Sequence, residues 1–425
     1  MRRLLRLALF LVALLVVGAL ALIWLNLRGE TPLPATATDF RPSAELVERG
    51  RYLALAGNCA GCHTARGGAP YAGGLGIETP FGTVFTSNLT PDARNGIGDW
   101  SPDHFWRAMH NGRSKDGRLL YPAFPYTSFT QVTREDSDAI YAWLRTVPPA
   151  AAPNRPHTLR FPYDTQLALA GWRALFFTPG TFQPDPKQTA EWNRGAYLVD
   201  GLGHCIACHG TRNSLGATQD RLGLAGGLIP IENWYAPSLN SPREAGVAGW
   251  DMNDVVALLR TGRSARGSVM GPMADVVFGS TQHLDEADLR AMATYLQSLP
   301  DTTGNATAVP PATQRRDQRV MEHGQRIFDQ RCAYCHGDAG QGALGAYPPL
   351  AGNRAVLMAS SANLIQIVRH GGFLPATAGN PRPYGMPPFS QVLDDSDIAA
   401  VLTFIRGSWG NDAPPVGPRE TLLAR

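Results

Sequence analysis

The chain has 425 residues, of which 44% are hydrophobic and 17% charged, and its formal net charge is +3. This length fits about three ordinary domains rather than one, and the apolar fraction excludes an intrinsically disordered chain. The basic residues are almost all arginines and do not cluster beyond the N-terminus, so the sequence excludes a nucleic-acid partner. Its 45 glycines and 34 prolines predict short helices joined by long, structured loops.

The start of the chain predicts a membrane anchor. Arg2, Arg3 and Arg6 precede an uncharged apolar run, residues 7–25, which is about long enough to cross a bilayer core. The basic flank predicts that the N-terminus stays inside and that the rest lies on the periplasmic side of the cytoplasmic membrane. A cleaved signal peptide is the alternative, because residues 19–21 match the small-x-small pattern of a cleavage site. The length of the run favours a single retained anchor.

All six cysteines lie in one motif, Cys-x-x-Cys-His, that occurs three times. The copies are Cys59-Ala-Gly-Cys62-His63, Cys205-Ile-Ala-Cys208-His209 and Cys332-Ala-Tyr-Cys335-His336. In such a motif the two thiols bind the vinyl groups of haem and the histidine binds its iron. Disulfides would not explain the histidines, and zinc knuckles need a second ligand pair that the sequence does not supply. The sequence therefore predicts three covalently bound haems c.

The spacing of the motifs predicts a series of small helical domains. The first cysteines lie 146 and 127 residues apart, which is too far for a solenoid. Helical segments precede each motif and close each domain. The preceding segments are residues 45–52, 192–198 and 322–328, and the closing segments are residues 136–144, 286–299 and 395–405. We therefore predict an all-α fold, with three consecutive c-type cytochrome domains after an N-terminal transmembrane helix.

Proline-rich stretches indicate the domain boundaries. They divide the chain into an anchor or signal peptide (1–30), a first domain (42–148), a linker with an apolar segment (149–188), a second domain (189–301), a linker (302–316), a third domain (317–411) and a tail (412–425). The apolar segment, residues 167–177, contains no haem ligand. It is either a helix packed on its own domain or a docking surface for a catalytic partner or the membrane.

Methionines in two of the repeats are candidates for the sixth iron ligand. A further helix aligns without gaps at residues 105–112, 255–262 and 364–371. In the loop after it, where c-type domains usually supply a methionine, the second repeat has Met273 and the third has Met386. This position favours ligation over core packing for both residues. Ligation is also favoured for Met273 over the nearby Met270. The opposite ligands are then His209 and His336.

The first repeat departs from this pattern. Phe124 stands where the loop should supply sulfur, and phenylalanine cannot bind iron. Met109 occupies the apolar register of the aligned helix and is predicted to point inward. His110 occupies the polar register and is predicted to be solvated or to contact a haem propionate. We predict Met109 as the sixth ligand opposite His63, with His110 as the second choice and an open site as the third.

With these motifs in place, the chain resembles the cytochrome c subunits of membrane-bound bacterial dehydrogenases. The resemblance covers residues 47–411. The segments on which it rests are residues 86–91 with 96–100, residues 271–274 with 280–284, and residues 405–411. It implies that a periplasmic catalytic subunit (molybdenum-containing, quinoprotein or flavoprotein) supplies electrons, which pass through three haems to membrane quinone. It also carries Met273 and Met386 over as axial ligands.

Some features depart from this family. Phe124 replaces the usual methionine, and a cleaved signal peptide is common in relatives. Residues 121–126 look most like versions that accompany molybdenum hydroxylases.

Two other functions stay open: a free-standing electron shuttle, and a peroxidase-like enzyme that uses an open first haem. Only His104 and His110 lie near Phe124 as acid–base groups, so an electron-transfer subunit without catalysis of its own is favoured.

Overall fold

The computed structural model describes residues 1–34, 40–219, 223–301, 316–343 and 345–424. The chain forms two compact units. Unit 1 comprises Met1–Pro184 with Asp200–His204, and unit 2 comprises Asp185–Val199 with Cys205–Arg425. The predicted linker 302–316 lies outside the described residues, apart from its last residue.

Unit 1 contains helices α1 to α7 and three short strands. The helices are α1 (Arg2–Leu27), α2 (Ala44–Ala56), α3 (Cys59–His63), α4 (Pro102–Asn111), α5 (Tyr126–Phe129), α6 (Arg134–Leu144) and α7 (Gln166–Phe176), and the strands are β1 (Gly76–Thr79), β2 (Gly82–Phe85) and β3 (Thr158–Leu159). The apolar run predicted as an anchor is the 26-residue helix α1. This helix is long and apolar enough to cross a membrane.

The second half of the chain contains α8 to α18. The helices are α8 (Ala190–Ala196), α9 (Ile206–His209), α10 (Met252–Thr261), α11 (Pro272–Gly279), α12 (Glu286–Gln297), α13 (Gln318–Arg331), α14 (Ala333–His336), α15 (Arg354–Leu357), α16 (Ala362–His370), α17 (Asp395–Gly407) and α18 (Pro418–Leu423). A π-helical turn (Tyr197–Leu202) follows α8, and a 3₁₀ turn (Thr281–His283) follows α11. The strands are β4 (Gly227–Leu228), β5 (Tyr235–Ala236), β6 (Arg263–Ser264), β7 (Gly267–Ser268), β8 (Gly372–Phe373) and β9 (Gly385–Met386).

One pair of crossing helices recurs in the described part of the chain. The helix before each haem motif packs against the helix that closes the same repeat: α2 on α6, α8 on α12 and α13 on α17. At each crossing a glycine meets the backbone of the partner helix. A Cβ atom on it would lie within 1.8 Å (Gly50 to Ala139 O), 1.9 Å (Gly195 to Ala291 O) or 2.2 Å (Gly324 to Ala400 O) of a carbonyl oxygen. The recurrence confirms the predicted helical segments before and after each motif.

A charged pair marks the same crossings. The residue before each glycine is basic, and it faces an aspartate in the first turn of the closing helix. The pairs are Arg49–Asp136, Arg194–Asp288 at 2.6 Å and His323–Asp397 at 2.7 Å. The third crossing thus replaces arginine by histidine at the same structural position.

The third aligned helix is also confirmed. The helices α4, α10 and α16 end at Gly112, Gly262 and Gly371, where φ is +58°, +71° and +66°. Glycine adopts this left-handed region without strain, and it commonly ends a helix there. The gapless alignment of the three repeats therefore corresponds to three helices that each end at a glycine with positive φ, left-handed helical at Gly112 and Gly262 but with an extended ψ of −157° at Gly371.

Short β-hairpins, which the sequence does not predict, accompany the helices. In unit 1, β2 pairs antiparallel with β1 and β3, with Gly76 opposite Phe85 and Gly82 opposite Leu159. The other strands form two-stranded hairpins, one of which places Met386 opposite Gly372. Strands of two to four residues are too short to show an alternating pattern. The fold is largely helical, with these hairpins in its loops.

One segment that carries the family resemblance has a structural role. Arg406 is buried in α17, and its guanidinium donates to the carbonyl oxygens of Val356 (2.8 Å), Met358 (2.9 Å) and Pro414 (2.8 Å). Burial lowers the pKa of Arg406 to about 10. A buried charge is tolerated when its donors are satisfied in this way. Residues 405–411 thus hold the loops around α17 in place.

Candidate functional site

Each Cys-x-x-Cys-His motif folds as a single helical turn. The short helices α3, α9 and α14 contain the motifs or their last residues. The backbone N–H of His209 donates to Cys205 O at 2.8 Å, and that of His336 donates to Cys332 O at 3.0 Å. Residues three apart on a helical turn lie on one face, so the two thiols of a motif emerge on the same side. None of the six cysteines, all in the described part of the chain, is joined in a disulfide.

The three histidines have one orientation in common. The Nδ1 atom of each lies close to a backbone carbonyl oxygen downstream: His63 to Ser87 (2.6 Å), His209 to Pro237 (2.7 Å) and His336 to Pro348 (3.2 Å). Donation from Nδ1 fixes the tautomer and leaves Nε2 as the available ligand atom. Burial lowers the pKa of all three imidazoles. Burial thus favours the neutral imidazole, the form that a metal ligand must have.

A hydrogen bond also holds the backbone carbonyl of each haem-motif histidine. A glycine N–H in the following loop donates to the histidine carbonyl: Gly73 to His63 (2.8 Å), Gly226 to His209 (2.7 Å) and Gly342 to His336 (2.7 Å). Sequence reasoning missed these glycines. They follow their histidines at different distances along the chain, so the alignment of the repeats does not reveal them.

The thiols of Cys59 and Cys332 have a raised pKa. Burial, with a smaller contribution from the neighbouring Cys62, raises the pKa of Cys59 to about 12. Burial also raises the pKa of Cys332 to about 11. Disulfide oxidoreductases instead lower the pKa of the attacking cysteine to obtain a thiolate. The raised pKa of Cys59 and Cys332 is the opposite of that tuning.

These features fit covalently bound haem. Paired thiols on one turn can form the two thioether bonds, and an imidazole with Nδ1 engaged can bind iron through Nε2. Among the described residues, no group of three or more His, Cys, Asp or Glu side chains could hold a metal ion. The fold and the motifs together define a c-type cytochrome.

The predicted ligand Met273 lies at the start of α11. Gly271, two residues before it, has φ +56°, and a Cβ atom there would lie 2.7 Å from the ring of Trp234. The indole thus fixes the approach of the chain to Met273. The methyl group of the nearby Met270 lies close to β8, where it would be 3.6 Å from a Cβ atom on Gly372. The choice of Met273 over Met270 stays a prediction.

The predicted ligand Met386 belongs to the β8–β9 hairpin. It is partly buried and packs against a core cluster that includes Ile365 and Val368 of α16 and Leu402 of α17. Gly371, at the end of α16, approaches Met386 so closely that a Cβ atom would lie 2.3 Å from its carbonyl oxygen. The aligned helix therefore sets the position of the methionine loop in this repeat.

The first repeat buries both of its candidate ligands. Met109 and His110, at the end of α4, are 5% and 7% exposed. His110 stacks on Trp106 at 4.4 Å, and its Nδ1 lies 3.4 Å from Thr130 Oγ1. The prediction that His110 is solvated is therefore wrong. The turn that contains α5 and Thr130 packs over this side of α4, a contact that helical periodicity does not reveal.

A further histidine lies near the loop that lacks methionine. Phe124 packs against Phe129 at 5.3 Å, and Phe129 packs edge-on against His204 at the same distance. The Nδ1 atom of His204 lies 2.8 Å from Leu202 O. Burial lowers the pKa of His204. Sequence reasoning missed this residue, although its position directly before Cys205 was an available signal.

The comparisons with known proteins agree with this chemistry. The cytochrome c family model matches residues 47–148 and 321–409. One subunit of a nicotinate dehydrogenase from Pseudomonas putida is 42% identical over 88% of this chain, which spans only 31% of that protein. The cytochrome c subunit of an alcohol dehydrogenase (quinone) from Gluconacetobacter polyoxogenes is 40% identical over 90% of this chain and 85% of its own length. The gluconate 2-dehydrogenase cytochrome c subunit of Pantoea cypripedii is 38% identical over 92% of this chain and 90% of its own length.

The chain belongs to the family of cytochrome c subunits of dehydrogenases. The resemblance inferred from the motifs is thereby confirmed. The two ranges matched by the cytochrome c model contain the first and third haem motifs. Members of this family bind haem c and transfer electrons, which is the chemistry that the paired thiols and the oriented imidazoles can support.

Proposed function

We propose that this chain is the electron-transfer subunit of a periplasmic dehydrogenase complex. It accepts electrons from a catalytic subunit and passes them through three haems c to quinone in the cytoplasmic membrane, or to another respiratory acceptor. The observation that carries the proposal is the threefold recurrence of one local arrangement: two cysteines on a turn and a histidine whose Nδ1 meets a backbone carbonyl. Relatives that match over most of their length, described as cytochrome c subunits of alcohol and gluconate dehydrogenases, support it.

In this proposal, each haem belongs to its own helical domain, within residues 42–148, 189–301 and 317–411. The recurring helix crossings and the recurring third helix support that division. Bound haem supplies one-electron redox chemistry. The cysteine pairs hold it, and His63, His209 and His336 present Nε2 to the iron. The sixth ligands are Met273 in the second domain, Met386 in the third and Met109 in the first.

Two observations support a choice of catalytic partner. Residues 121–126 favour a molybdenum-containing dehydrogenase, with quinoprotein and flavoprotein partners as alternatives. The 42% identity to part of a nicotinate dehydrogenase supports a partner that oxidises a small organic substrate. Purification from gently solubilised membranes tests this step. A dehydrogenase subunit should accompany the cytochrome, whereas a cytochrome that purifies alone would favour a free-standing shuttle.

The proposal includes a single N-terminal anchor on the periplasmic side. Helix α1 runs without a break through Ala19–Ala21, the possible cleavage site, to Leu27. Its last turn also bonds to helix α7 of unit 1, since Asn26 Nδ2 donates to Ala170 O at 3.0 Å. N-terminal sequencing of the mature protein tests retention. A new terminus at Leu22 would show cleavage and remove the anchor.

The haem count is tested by mass. Thioether bonds survive denaturation, so the denatured protein from a host competent in cytochrome maturation should exceed the polypeptide mass by three haems. A double variant, Cys205→Ser with Cys208→Ser, should exceed it by two. A parent protein with only two haems would contradict the three-domain proposal.

A further inference from the structure

Helix α7 has one side buried against unit 1 and an apolar side open to the surroundings. Leu169 and Arg173 are buried, whereas Leu167 and Leu175 are 73% and 72% exposed. The helix contains no charged residue except the buried Arg173. Phe161, shortly before α7, is also almost fully exposed. An apolar surface of this kind on a folded unit indicates an interaction site.

Polar bonds join α7 directly to the end of the apolar helix α1. Asn26 is buried in the last turn of α1, and its Nδ2 donates to Ala170 O of α7 at 3.0 Å. The guanidinium Nε of Arg173 donates to Asn26 Oδ1 at 3.1 Å. Arg173 also lies over the rings of Tyr126 (5.2 Å) and Phe177 (4.7 Å). The buried side of α7, which packs on unit 1, is thus also bonded to α1.

The residues after α1 extend this connection. Arg113 donates to Asn26 O at 3.1 Å and to Glu30 Oε2 at 2.9 Å. Asn111 Nδ2 donates to Gly29 O at 3.3 Å. Arg28 donates to the carbonyl of Phe177, just after α7. These bonds fix the level of α7 along the axis of α1: it lies beside the last turn.

That level corresponds to the outer boundary of a bilayer crossed by α1. A helix of 26 residues measures about 39 Å at 1.5 Å per residue, whereas the hydrocarbon core is about 30 Å thick. If the core begins near Leu7, after the basic flank, it ends close to Asn26. Trp24, exposed near this end, belongs to the residue type that favours the interface. The open apolar side of α7 therefore lies where lipid begins.

We propose that α7 is a second membrane contact, an interfacial helix that inserts Leu167, Leu175 and the preceding Phe161 into the outer leaflet beside α1. It holds the first cytochrome domain against the bilayer surface. The inference rests on the proposed anchor. Continuity with α1 and the lack of exposed charge on α7 favour phospholipid as the occupant over a catalytic subunit.

Thiol accessibility in lipid nanodiscs tests the inference on the full-length holoprotein. The native cysteines are consumed by haem, so an introduced cysteine is the only reactive thiol. Four variants are compared in nanodiscs of phosphatidylcholine and phosphatidylglycerol: Leu167→Cys and Leu175→Cys on α7, Leu14→Cys within α1, and Leu422→Cys on α18, which is 52% exposed. Haem content equal to that of the parent shows that each variant has folded.

The rate of alkylation by a membrane-impermeant maleimide is the readout. The introduced cysteines at positions 14, 167 and 175 should each react at least about tenfold more slowly than the cysteine at position 422. The reason is that a thiol in lipid neither ionises nor meets the reagent. If the cysteine at position 175 reacts as fast as that at 422 while the cysteine at 14 is protected, the proposal of an interfacial helix is overturned and the anchor stands. Fast reaction at 14 would show that the anchor itself is wrong.

A second measurement needs no variant. Phosphatidylcholine with a diazirine in its acyl chain is activated in the same nanodiscs, and the adducts are mapped by mass spectrometry. Adducts on the peptide that contains residues 167–175, together with adducts on α1, are expected. Adducts confined to α1 would overturn the inference and would show that any protection of α7 comes from protein, such as a second copy of the chain.

Discussion

The Nε2 atom of His323 lies 2.7 Å from the Asp397 carboxylate, at the position where the other two helix crossings pair arginine with aspartate. Histidine forms an ion pair only when it is protonated, whereas arginine stays charged at every pH at which proteins fold. His323→Arg should therefore stabilise the third crossing at alkaline pH by about 0.2–1 kcal/mol, the range of partly exposed pairs.

Urea unfolding of the holoprotein at pH 8 measures this effect. His370→Arg is the control, because it makes the same change in charge at an exposed position at the end of α16. An equal gain in both variants would mean that net charge, and not the contact with Asp397, is responsible.

Because the crossing helices approach each other closely, adding one methyl group at the crossing should strongly lower the free energy of unfolding. Gly324→Ala would place Cβ 2.2 Å from Ala400 O, so the helices must separate. The loss should lie at the upper end of the roughly 1–3 kcal/mol typical of overpacked cores. Gly171→Ala in α7 is the matched control, since nothing lies within 4 Å of its Cβ position. There the change should be neutral or stabilise by up to about 1 kcal/mol. Similar unfolding midpoints for the two variants would contradict the crossing geometry.

The two predicted methionine ligands can be tested by their spectra. Met273→Leu and Met386→Leu should each lower the potential of one haem and remove its sulfur-to-iron absorption band in the red, because methionine ligation raises the potential. Met270→Leu should change neither property, since that side chain packs against β8. Redox titration followed by absorbance measures both. Loss of the band in the Met270 variant would mean that the ligand is misassigned.

The sixth ligand of the first haem is tested by magnetic resonance of the oxidised protein. Met109→Leu should convert one low-spin His–Met iron into a high-spin iron. His110→Gln and His204→Gln should leave the spectrum unchanged and serve as controls for the two buried histidines of this region. If the parent protein gives a bis-histidine signal and that signal disappears in one of the histidine variants, the sixth ligand is that histidine and not Met109.

A pH effect is expected at His157, which ties the linker to β2. The backbone N–H of Phe85 donates to His157 Nδ1 at 3.1 Å, a bond that requires the neutral imidazole. Burial, with the charge of Arg118, lowers the pKa of His157. Below the unfolded pKa of about 6.5 the unfolded chain binds more protons, so stability falls as the pH drops from there through the lower folded pKa.

The variant His157→Asn keeps an acceptor near Nδ1 but cannot be protonated. Its unfolding midpoint should fall less than that of the parent between pH 8 and pH 5.5. An equal fall in the two proteins would show that other groups cause the pH dependence.

The sequence predicts features that depend on local spacing. The haem motifs, the helices around them and the gapless third helix all follow from patterns within about ten residues. The hairpins do not, because strands of two residues leave no periodic signal. The burial of His110 depends on the contact with Thr130, twenty residues away. The pairing of His204 with Phe129 spans an even longer separation along the chain. Helical periodicity describes one element and gives no information about such neighbours.

The acceptors of the histidine Nδ1 bonds have a consequence for how the protein tolerates mutation. They are main-chain oxygens, and they belong to Ser87 in one repeat but to Pro237 and Pro348 in the others. A substitution can change those side chains without deleting the oxygen. The orientation of each imidazole is therefore encoded in the path of the loop rather than in the identity of a residue. Sequence drift at these positions can proceed while the geometry at the iron is kept.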